Sequence, residues 1–186
     1  MEYAIFYKEW QSLPTPEYKV LAMIAERGGV FTGTYADMCR YFSVTVQQRN
    51  RNVFRNSIHN LSVDGWINET SQGNTQILKI IPKEKEIKIP LELARSIINH
   101  EYASEPVSFV NVLKVYLWIV AKGKEEIVTN KMIADELGVS PSTVVSAKNV
   151  LEREYHNIKK ERVSVKICED HYKTLGQILE ASAFWD

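Results

Sequence analysis

Two twelve-residue segments of this chain repeat each other, and the repeat constrains the fold more than any other sequence feature. "TYADMCRYFSVT" (34–45) and "TNKMIADELGVS" (129–140) align without a gap. A threonine opens each segment where a helix N-cap belongs, and apolar residues follow at helical spacing. We therefore expect a short helix in each copy, followed by a turn that the valine plugs. Thr45 and Ser140, the last residues of the two segments, should cap the next helix.

A longer amphipathic helix precedes each copy. In "TPEYKVLAMIAERGG" (15–29), Thr15 suits an N-cap, Pro16 suits the first turn and Gly28 suits the end of the helix. In "SFVNVLKVYLWIVAKGK" (108–124), apolar residues recur every three or four positions. Each copy is therefore expected to contain three helices.

A β-hairpin is expected after the third helix of the first copy. Gly65 supplies a left-handed stop, and the next residues open a strand. "SQGN" (71–74) is a hairpin turn, and Thr75 to Ile81 alternates as the returning strand. In the second copy, "HNIKKERVSVKI" (156–167) predicts a short two-stranded ribbon, although it lacks the glycine before its first strand.

Three helices followed by a hairpin, present twice, resemble the winged helix-turn-helix domain. The resemblance covers roughly residues 15–82 and 108–168, and "VDGWI" and "IADELGVSPSTV" are its most specific parts. It implies a mainly α fold with small β-hairpins (α+β), built from two winged helix-turn-helix domains in tandem. The expected division is an N-terminal domain over 1–82, a linker with a short helix over 83–107, and a C-terminal domain with a final helix over 108–186.

The third helix of the second copy is expected to lie along DNA. Val144, Ala147 and Leu151 fall on one face and should point to the core. The residues expected to contact DNA are Ser140, Ser142, Thr143, Ser146, Lys148 and Asn149. Hydroxyls and amides bond phosphates and base edges, and a helix N-terminus favours a phosphate. The alternative is that the Ser-Pro-Ser segment only starts a helix, and that Lys148 is a solvated lysine rather than one that reaches a phosphate.

The ribbon of the second copy carries three basic residues, Lys159, Lys160 and Arg162. They would reach the DNA backbone as a basic wing. The other interpretation is a solvated turn whose charge Glu161 balances.

The first copy contains a polar insertion. The first inward residue of the third helix, Phe54, comes ten positions after the turn valine, Val44, where the separation in the second copy is five. Either the helix starts early and is longer, or a loop projects before it. The residues expected to contact DNA are Gln47, Gln48, Arg49, Asn50, Arg51, Asn52 and Arg55, with Asn56 also outward. Glutamine, asparagine and arginine make paired hydrogen bonds to adenine or guanine edges. A surface loop without function is the alternative, but the segment contains no acid.

Charge and composition bear on the class of protein. The formal net charge is zero, which counts against a protein that simply coats nucleic acid. The four histidines are dispersed, the two cysteines stand far apart, and there is no HExxH, GxxxxGK[ST], GxGxxG or GxSxG motif. We therefore expect no catalytic residues, no metal ligands, no cofactor and no small-molecule ligand. The two separated cysteines favour a reducing, cytoplasmic setting, and the N-terminus lacks the long apolar core of a signal peptide. The longest apolar run is too short to span a bilayer, so no membrane partner is expected.

The ends of the chain are rich in aromatic residues. "YAIFYKEW" (3–10) alternates like a strand or packs as an aromatic arm, and "HYKTLGQILEASAFWD" (171–186) forms an apolar helical face. Winged helices commonly pair so that two recognition helices meet adjacent major grooves. A homodimer through the C-terminal helix is the expected assembly.

The resemblance implies a sequence-specific binder of double-stranded DNA. The tandem arrangement is similar to that of plasmid and phage replication initiators, although this chain is shorter than most of them, and it also suits a transcriptional regulator. The alternative is a protein-binding scaffold in a replication or chromosome-organising complex, which the neutral net charge favours.

Overall fold

The computed structural model describes residues 2–99, 106–122 and 129–161, the last eight of these as helix backbone only. The chain forms two compact units, residues 1–100 and 101–186. The described residues form an α+β fold with seven α-helices and two small antiparallel sheets. None of these helices has both the length and the apolar character that a membrane span requires.

The first unit begins with strand β1 and a 3₁₀ turn and ends with helix α4. Its elements are β1 (Tyr3–Tyr7), the 3₁₀ turn (Lys8–Ser12), α1 (Thr15–Glu26), β2 (Val30–Gly33), α2 (Tyr35–Tyr41), α3 (Gln48–Val63), β3 (Ile67–Gln72), β4 (Thr75–Ile80), β5 (Glu86–Pro90) and α4 (Leu91–Asn99). The second unit contributes α5 (Phe109–Lys122), α6 (Asn130–Leu137) and α7 (Pro141–Glu161).

Helix α1 is the centre of the first unit. From Glu17 to Glu26 every residue is buried except Lys19, because α3, α4 and three strands pack around the helix. Two carboxylates of α1 are buried with partners from those neighbours. Glu17 accepts a hydrogen bond of 2.9 Å from the Asn60 amide of α3, and Glu26 accepts one of 2.6 Å from the Arg95 guanidinium of α4. These two bonds fix α1 to helices that lie far away in sequence.

A three-stranded sheet in the order β2-β4-β3 lies in the first unit. Strands β3 and β4 form the expected hairpin: Gln72 pairs with Thr75 across a two-residue turn, in which Gly73 has a φ of +62°. Ile67 and Leu78 are buried on one side of the hairpin. Strand β2, which the sequence pattern did not predict, pairs with β4 along its full length.

A second sheet forms where a linker was expected. Strand β5, within the expected linker 83–107, pairs antiparallel with β1, from Tyr3 with Pro90 to Tyr7 with Glu86. Ile87 and Ile89 are buried while Lys88 between them is exposed, which is the alternation of a half-buried strand. Charged residues around this strand masked its alternating pattern in the sequence. Because the strand pairs with β1, the folded first unit extends beyond residue 82. Helix α4 follows at the place where the short helix was expected.

The start of α1 differs from the expectation, while its end agrees with it. The helix begins at Thr15, and its N-cap is Pro14, with no side-chain hydrogen bond to the first turn. Thr15 is therefore not a cap. Gly28 and Gly29 both have positive φ, and the Gly29 N–H donates to the Ile24 carbonyl at 2.9 Å. This bond pattern is the Schellman helix end that a glycine favours.

The sequence repeat is also a structural repeat. The Thr34 hydroxyl accepts a 3.2 Å hydrogen bond from the Asp37 N–H, and the Thr129 hydroxyl accepts one of the same length from the Met132 N–H. Both expected N-caps are therefore confirmed. The Asp37 carboxylate also accepts from the Thr34 N–H at 2.8 Å, which completes a capping box in the first copy.

The turns after the two short helices share one geometry. Ser43 has a φ of 51° and Gly138, at the matching position, has a φ of 65°. The next N–H in each copy returns to the helix: Val44 donates to the Cys39 carbonyl at 2.9 Å, and Val139 donates to the Ala134 carbonyl at 3.0 Å. The backbone of the valine, rather than its side chain, closes the turn. The expected plug is wrong for the first copy, where Val44 is 37% exposed.

One of the two expected caps of the third helices is confirmed. The Ser140 hydroxyl accepts a 3.1 Å hydrogen bond from the Thr143 N–H at the start of α7. Thr45 does not cap α3, because that helix begins at Gln48 and its N-cap is Gln47, without a side-chain bond. The insertion therefore adds two residues to the loop and three to the start of the helix.

The ribbon was predicted over residues 156–167. The prediction is wrong for residues 156–161, because α7 continues to Glu161. The segment offers no Gly or Pro to end the helix, and Lys and Glu are good helix formers. Arg162 and the rest of the predicted ribbon lie outside the described residues, as does the C-terminal segment expected to form a dimer contact.

The left-handed turn gives a test of stability. Replacing Ser43 by glycine should raise the free energy of unfolding by about 0.5–1 kcal/mol, because glycine adopts positive φ without the steric cost that other residues carry. Urea unfolding of the full chain, followed by circular dichroism, measures the change.

The reciprocal control is Gly138→Ala. An added Cβ at Gly138 meets no atom within 4 Å, so a loss of about 1 kcal/mol would report the backbone conformation alone. A Ser43→Gly variant less stable than the parent would contradict the described turn.

Candidate nucleic-acid interface

Helix α3 is anchored by one face and exposed on the other. Phe54, Ile58 and Leu61 are buried, and the Phe54 ring stacks on Phe42 of the preceding loop with centroids 5.6 Å apart. At 100° per residue, the side chains on the opposite half of the helix are exposed, namely those of Gln48, Arg49, Asn52, Asn56, His59 and Val63. The anchored face thus holds a mainly polar face of the same helix toward solvent.

The structure places the predicted contact residues of the first unit in two groups. Gln47, Gln48, Arg49, Asn52 and Arg55 are exposed, and the Gln48 amide donates to the Asn52 carbonyl oxygen at 2.9 Å. Asn50 and Arg51 are half-buried on the side of the helix nearer the core.

The two half-buried residues support the start of the helix rather than extend its outer face. The Asn50 amide donates to the Thr45 carbonyl at 2.8 Å, which closes the loop before α3. The Arg51 Nε is buried and has no hydrogen-bond partner among the residues that the structure describes. The structure therefore does not place all seven residues on one surface.

The charge of α3 is of one sign. The helix contains Arg49, Arg51 and Arg55 and no acidic residue, so the positive end of its dipole is not balanced by a carboxylate in the first turn. The Arg55 guanidinium lies over the ring of Tyr35 at 5.5 Å, which holds the cation beside the start of α2. This arrangement favours anionic groups along the outer face of α3.

The acid of α2 is held in local bonds. Asp37 accepts from the Thr34 backbone and side chain and from Arg40 at 2.7 Å. The Thr34 backbone N–H is the main cause that lowers the pKa of Asp37, with smaller contributions from the Thr34 hydroxyl and Arg40. The negative charge of Asp37 is thus engaged in the helix cap and is paired with the positive charge of Arg40.

The second unit presents a helix start made of hydroxyl groups. Val144, Ala147 and Leu151 are buried in α7, as expected, whereas Ser142 and Asn149 are exposed and Thr143 and Ser146 are half-buried. The Ser140 Oγ lies 2.8 Å from both Ser142 Oγ and Thr143 Oγ1. The hydroxyl groups therefore gather around the first turn of α7.

Lys148 is half-buried and bonded within the protein, so it is not the plain solvated lysine of the alternative. Its Nζ donates to the Asn130 Oδ1 of α6 at 3.0 Å. Burial lowers the pKa of Lys148 to about 8, and the nearby Glu152 charge opposes this effect only in part. Lys159 and Lys160 belong to the helix α7 rather than to a wing, and Arg162 lies outside the described residues.

Sequence reasoning missed two residues at this surface. His59 is exposed four residues after Arg55, so helical spacing alone was enough to find it. The contact of Tyr35 with Arg55 joins two helices, and no local pattern indicates it. Within the described part of the chain, no three His, Cys, Asp or Glu side chains gather to hold a metal ion.

Comparison with known proteins adds no relative. A scan against protein-family models, a search of curated proteins and a search of solved structures found no match.

The lowered pKa of Lys148 gives a test in the second unit. Its folded pKa of about 8 lies below its ordinary value of 10.5, so between these pH values the unfolded chain binds more protons than the folded chain. The contribution of Lys148 to stability is therefore most unfavourable below pH 8 and is relieved as the pH rises to 10.5. Lys148→Met should remove this pH-dependent increment, which is on the order of 1–2 kcal/mol after allowance for solvent screening.

The measurement is the free energy of unfolding of parent and variant between pH 7.5 and 10.5. Lys131→Met, at an exposed lysine of α6, is the control. Burial also lowers the pKa of Lys114, which adds to the pH dependence of both proteins. The quantity to follow is therefore the difference in the free energy of unfolding between the parent and Lys148→Met. Parallel curves for the two proteins would show that Lys148 titrates normally.

Proposed function

We propose that this protein binds double-stranded DNA through two winged helix-turn-helix units in tandem. Helix α3 of the first unit and helix α7 of the second unit would each lie in a major groove. Such binding would serve control of replication or of transcription in a plasmid or phage, the roles that the sequence resemblance implies. Duplex DNA and a second copy of the chain are the proposed partners.

The topology of the first unit supports the winged-helix part of the proposal. Its elements run α1, β2, α2, α3, β3, β4, and β2 joins the β3–β4 hairpin beside β4. The hairpin would be the wing, and α2 and α3 would be the helix-turn-helix. The second unit supplies three helices in the same order, with the same capped helix and left-handed turn before its last helix.

The observation that carries the DNA proposal is the outer face of α3. That face is mainly polar, contains no acid, carries the exposed Arg49 and is flanked by the exposed Arg55, while its opposite face is fixed to the core. A helix of this kind presents groups to both phosphates and base edges. Its single sign of charge also agrees with a polyanionic partner.

A protein-binding scaffold is the second candidate function. Three valines on or beside α3 are exposed, Val46 at 37%, Val53 at 42% and Val63 at 71%, and the whole chain has zero net charge. The neutral net charge favours a protein partner over a polyanion, and the exposed valines would add apolar contact area. The two functions differ in how duplex binding depends on salt.

The first test of the proposal is the salt dependence of duplex binding. The full chain should bind a duplex selected from a random library, with affinity that falls steeply as salt is added, because phosphate contacts release counterions. Replacing both Arg49 and Arg55 by alanine should weaken binding at least tenfold and reduce the log–log salt slope by roughly two, about one for each lost phosphate contact.

The control variant is Lys88→Ala. Lys88 is an exposed basic residue on β5, which packs on β1 and α4 rather than on α3, so its loss should leave duplex affinity nearly unchanged. Equal losses in the control and the double variant would indicate non-specific attraction. The absence of duplex binding at any salt concentration would favour the scaffold.

The second unit is tested by Asn149→Ala. Asn149 is exposed on the outer face of α7, so its loss should weaken binding about three- to tenfold without lowering the melting temperature. Val145→Ala, at an apolar position of the same exposed surface, is the matched control. An unchanged affinity of Asn149→Ala would remove this face of α7 from the interface.

A further inference from the structure

We propose that a row of three amides on α3 selects adenine in the major groove. The amide row consists of Gln48, Asn52 and Asn56, and its use as a DNA-reading surface rests on the proposed function. The inference adds a base preference: the amides discriminate among base pairs, and the arginines beside them supply affinity without selecting a sequence.

The three side chains share one exposed face because they stand four residues apart. Residues four apart on a helix are neighbours along its surface. The Gln48 amide donates to the Asn52 carbonyl oxygen at 2.9 Å, so the first two members of the row are already in contact. This bond leaves the Asn52 NH₂ group free to donate, and it leaves one lone pair on the Asn52 oxygen. Gln48 therefore orients Asn52, and Asn52 keeps both the donor and the acceptor that it needs to bind a base.

The asparagines of α3 separate into two kinds. Asn50 bonds the Thr45 carbonyl at 2.8 Å and Asn60 bonds Glu17 at 2.9 Å, so these two connect parts of the fold. Asn52 and Asn56 make no bond to another element in the described part of the chain, and both are exposed. Asparagine is a poor residue for a helix interior, where alanine, glutamate or lysine would stabilise an exposed site. Folding alone does not account for asparagine at these two positions.

The chemistry of an amide matches adenine and opposes guanine. Adenine presents the N7 acceptor beside the N6 donor in the major groove, and one amide satisfies both through its NH₂ and its carbonyl oxygen. Guanine presents two acceptors, N7 and O6, so the amide oxygen would face another oxygen. Arginine reads guanine well, but Arg51 is turned toward the core side and Arg55 lies over the ring of Tyr35. Arg49 is exposed beside the row and is assigned to a phosphate, while Asn52 and Asn56 lie near the centre of the exposed face.

The test begins with selection of duplexes from a random library by the full-length protein. The enriched duplexes should share adenines at fixed positions. Replacing these adenines by 7-deazaadenine removes the major-groove N7 acceptor and should weaken binding about tenfold, within the range expected for a bidentate amide contact. Replacing them by 2,6-diaminopurine changes the minor groove instead and should leave the affinity within twofold.

The same base preference can be tested by replacing the amides of the protein instead of the atoms of the DNA. The double replacement Asn52→Ala and Asn56→Ala should abolish the preference for adenine over 7-deazaadenine, while the melting temperature stays equal or rises because alanine favours the helix. Asn99→Ala removes an exposed amide of α4, outside the proposed DNA-binding elements, and should keep the preference, which makes it the matched control.

Two outcomes separate this inference from the proposed function. Steep salt-dependent duplex binding with equal affinity for adenine and 7-deazaadenine duplexes would overturn the amide row and leave DNA binding in place. A protein that binds no duplex would overturn both proposals. Loss of the adenine preference in the double variant, with the preference retained in Asn99→Ala, would support the amide row.

Discussion

The left-handed turn after each short helix is the constraint on which both units depend. In the first unit the turn must reverse the chain so that Phe54 reaches Phe42 and the opposite face of α3 remains exposed. A positive φ at Ser43 or Gly138 allows the following N–H to bond the short helix, and this bond sets the direction in which the chain leaves it. The threonine cap fixes the other end of that helix. The cap at the start of the short helix and the left-handed turn at its end thus orient the helix that follows.

Buried carboxylates then hold the first unit around α1. A carboxylate removed from water is costly unless it accepts hydrogen bonds, so Glu17 and Glu26 require donors from other helices. Asn60 of α3 donates to one Glu17 oxygen, whose second oxygen is buried without a partner among the described residues, and Arg95 of α4 donates to Glu26 at 2.6 Å. Both donors are side chains of surface residues that reach inward. The position of α3 therefore follows from a polar requirement of the core as well as from its apolar face.

Local signals in the sequence predicted most elements, and the errors have non-local causes. Thr34, Thr129, Ser140 and Gly65 mark helix ends by short-range bonds, which is why spacing alone located them. Strand β2 could not be predicted, since its partner β4 lies more than forty residues away. Strand β5 was hidden because its pairing with β1 spans most of the unit. At the candidate interface, spacing predicted the exposed polar face of α3, but only three-dimensional contacts show that Asn50 and Lys148 bond within the protein.

The composition of α3 fits a helix that tertiary contacts hold. Its exposed positions carry asparagine, histidine and valine, residues with low helix propensity, and its first turn lacks both a side-chain cap and an acid. An isolated peptide of sixteen such residues would form little helix in water. Here the buried side chains of Phe54, Ile58 and Leu61, the Asn60 bond to α1 and the loop bond of Asn50 supply the missing stability. Because these contacts maintain the helix, the exposed side chains of its outer face are not needed to hold it in place.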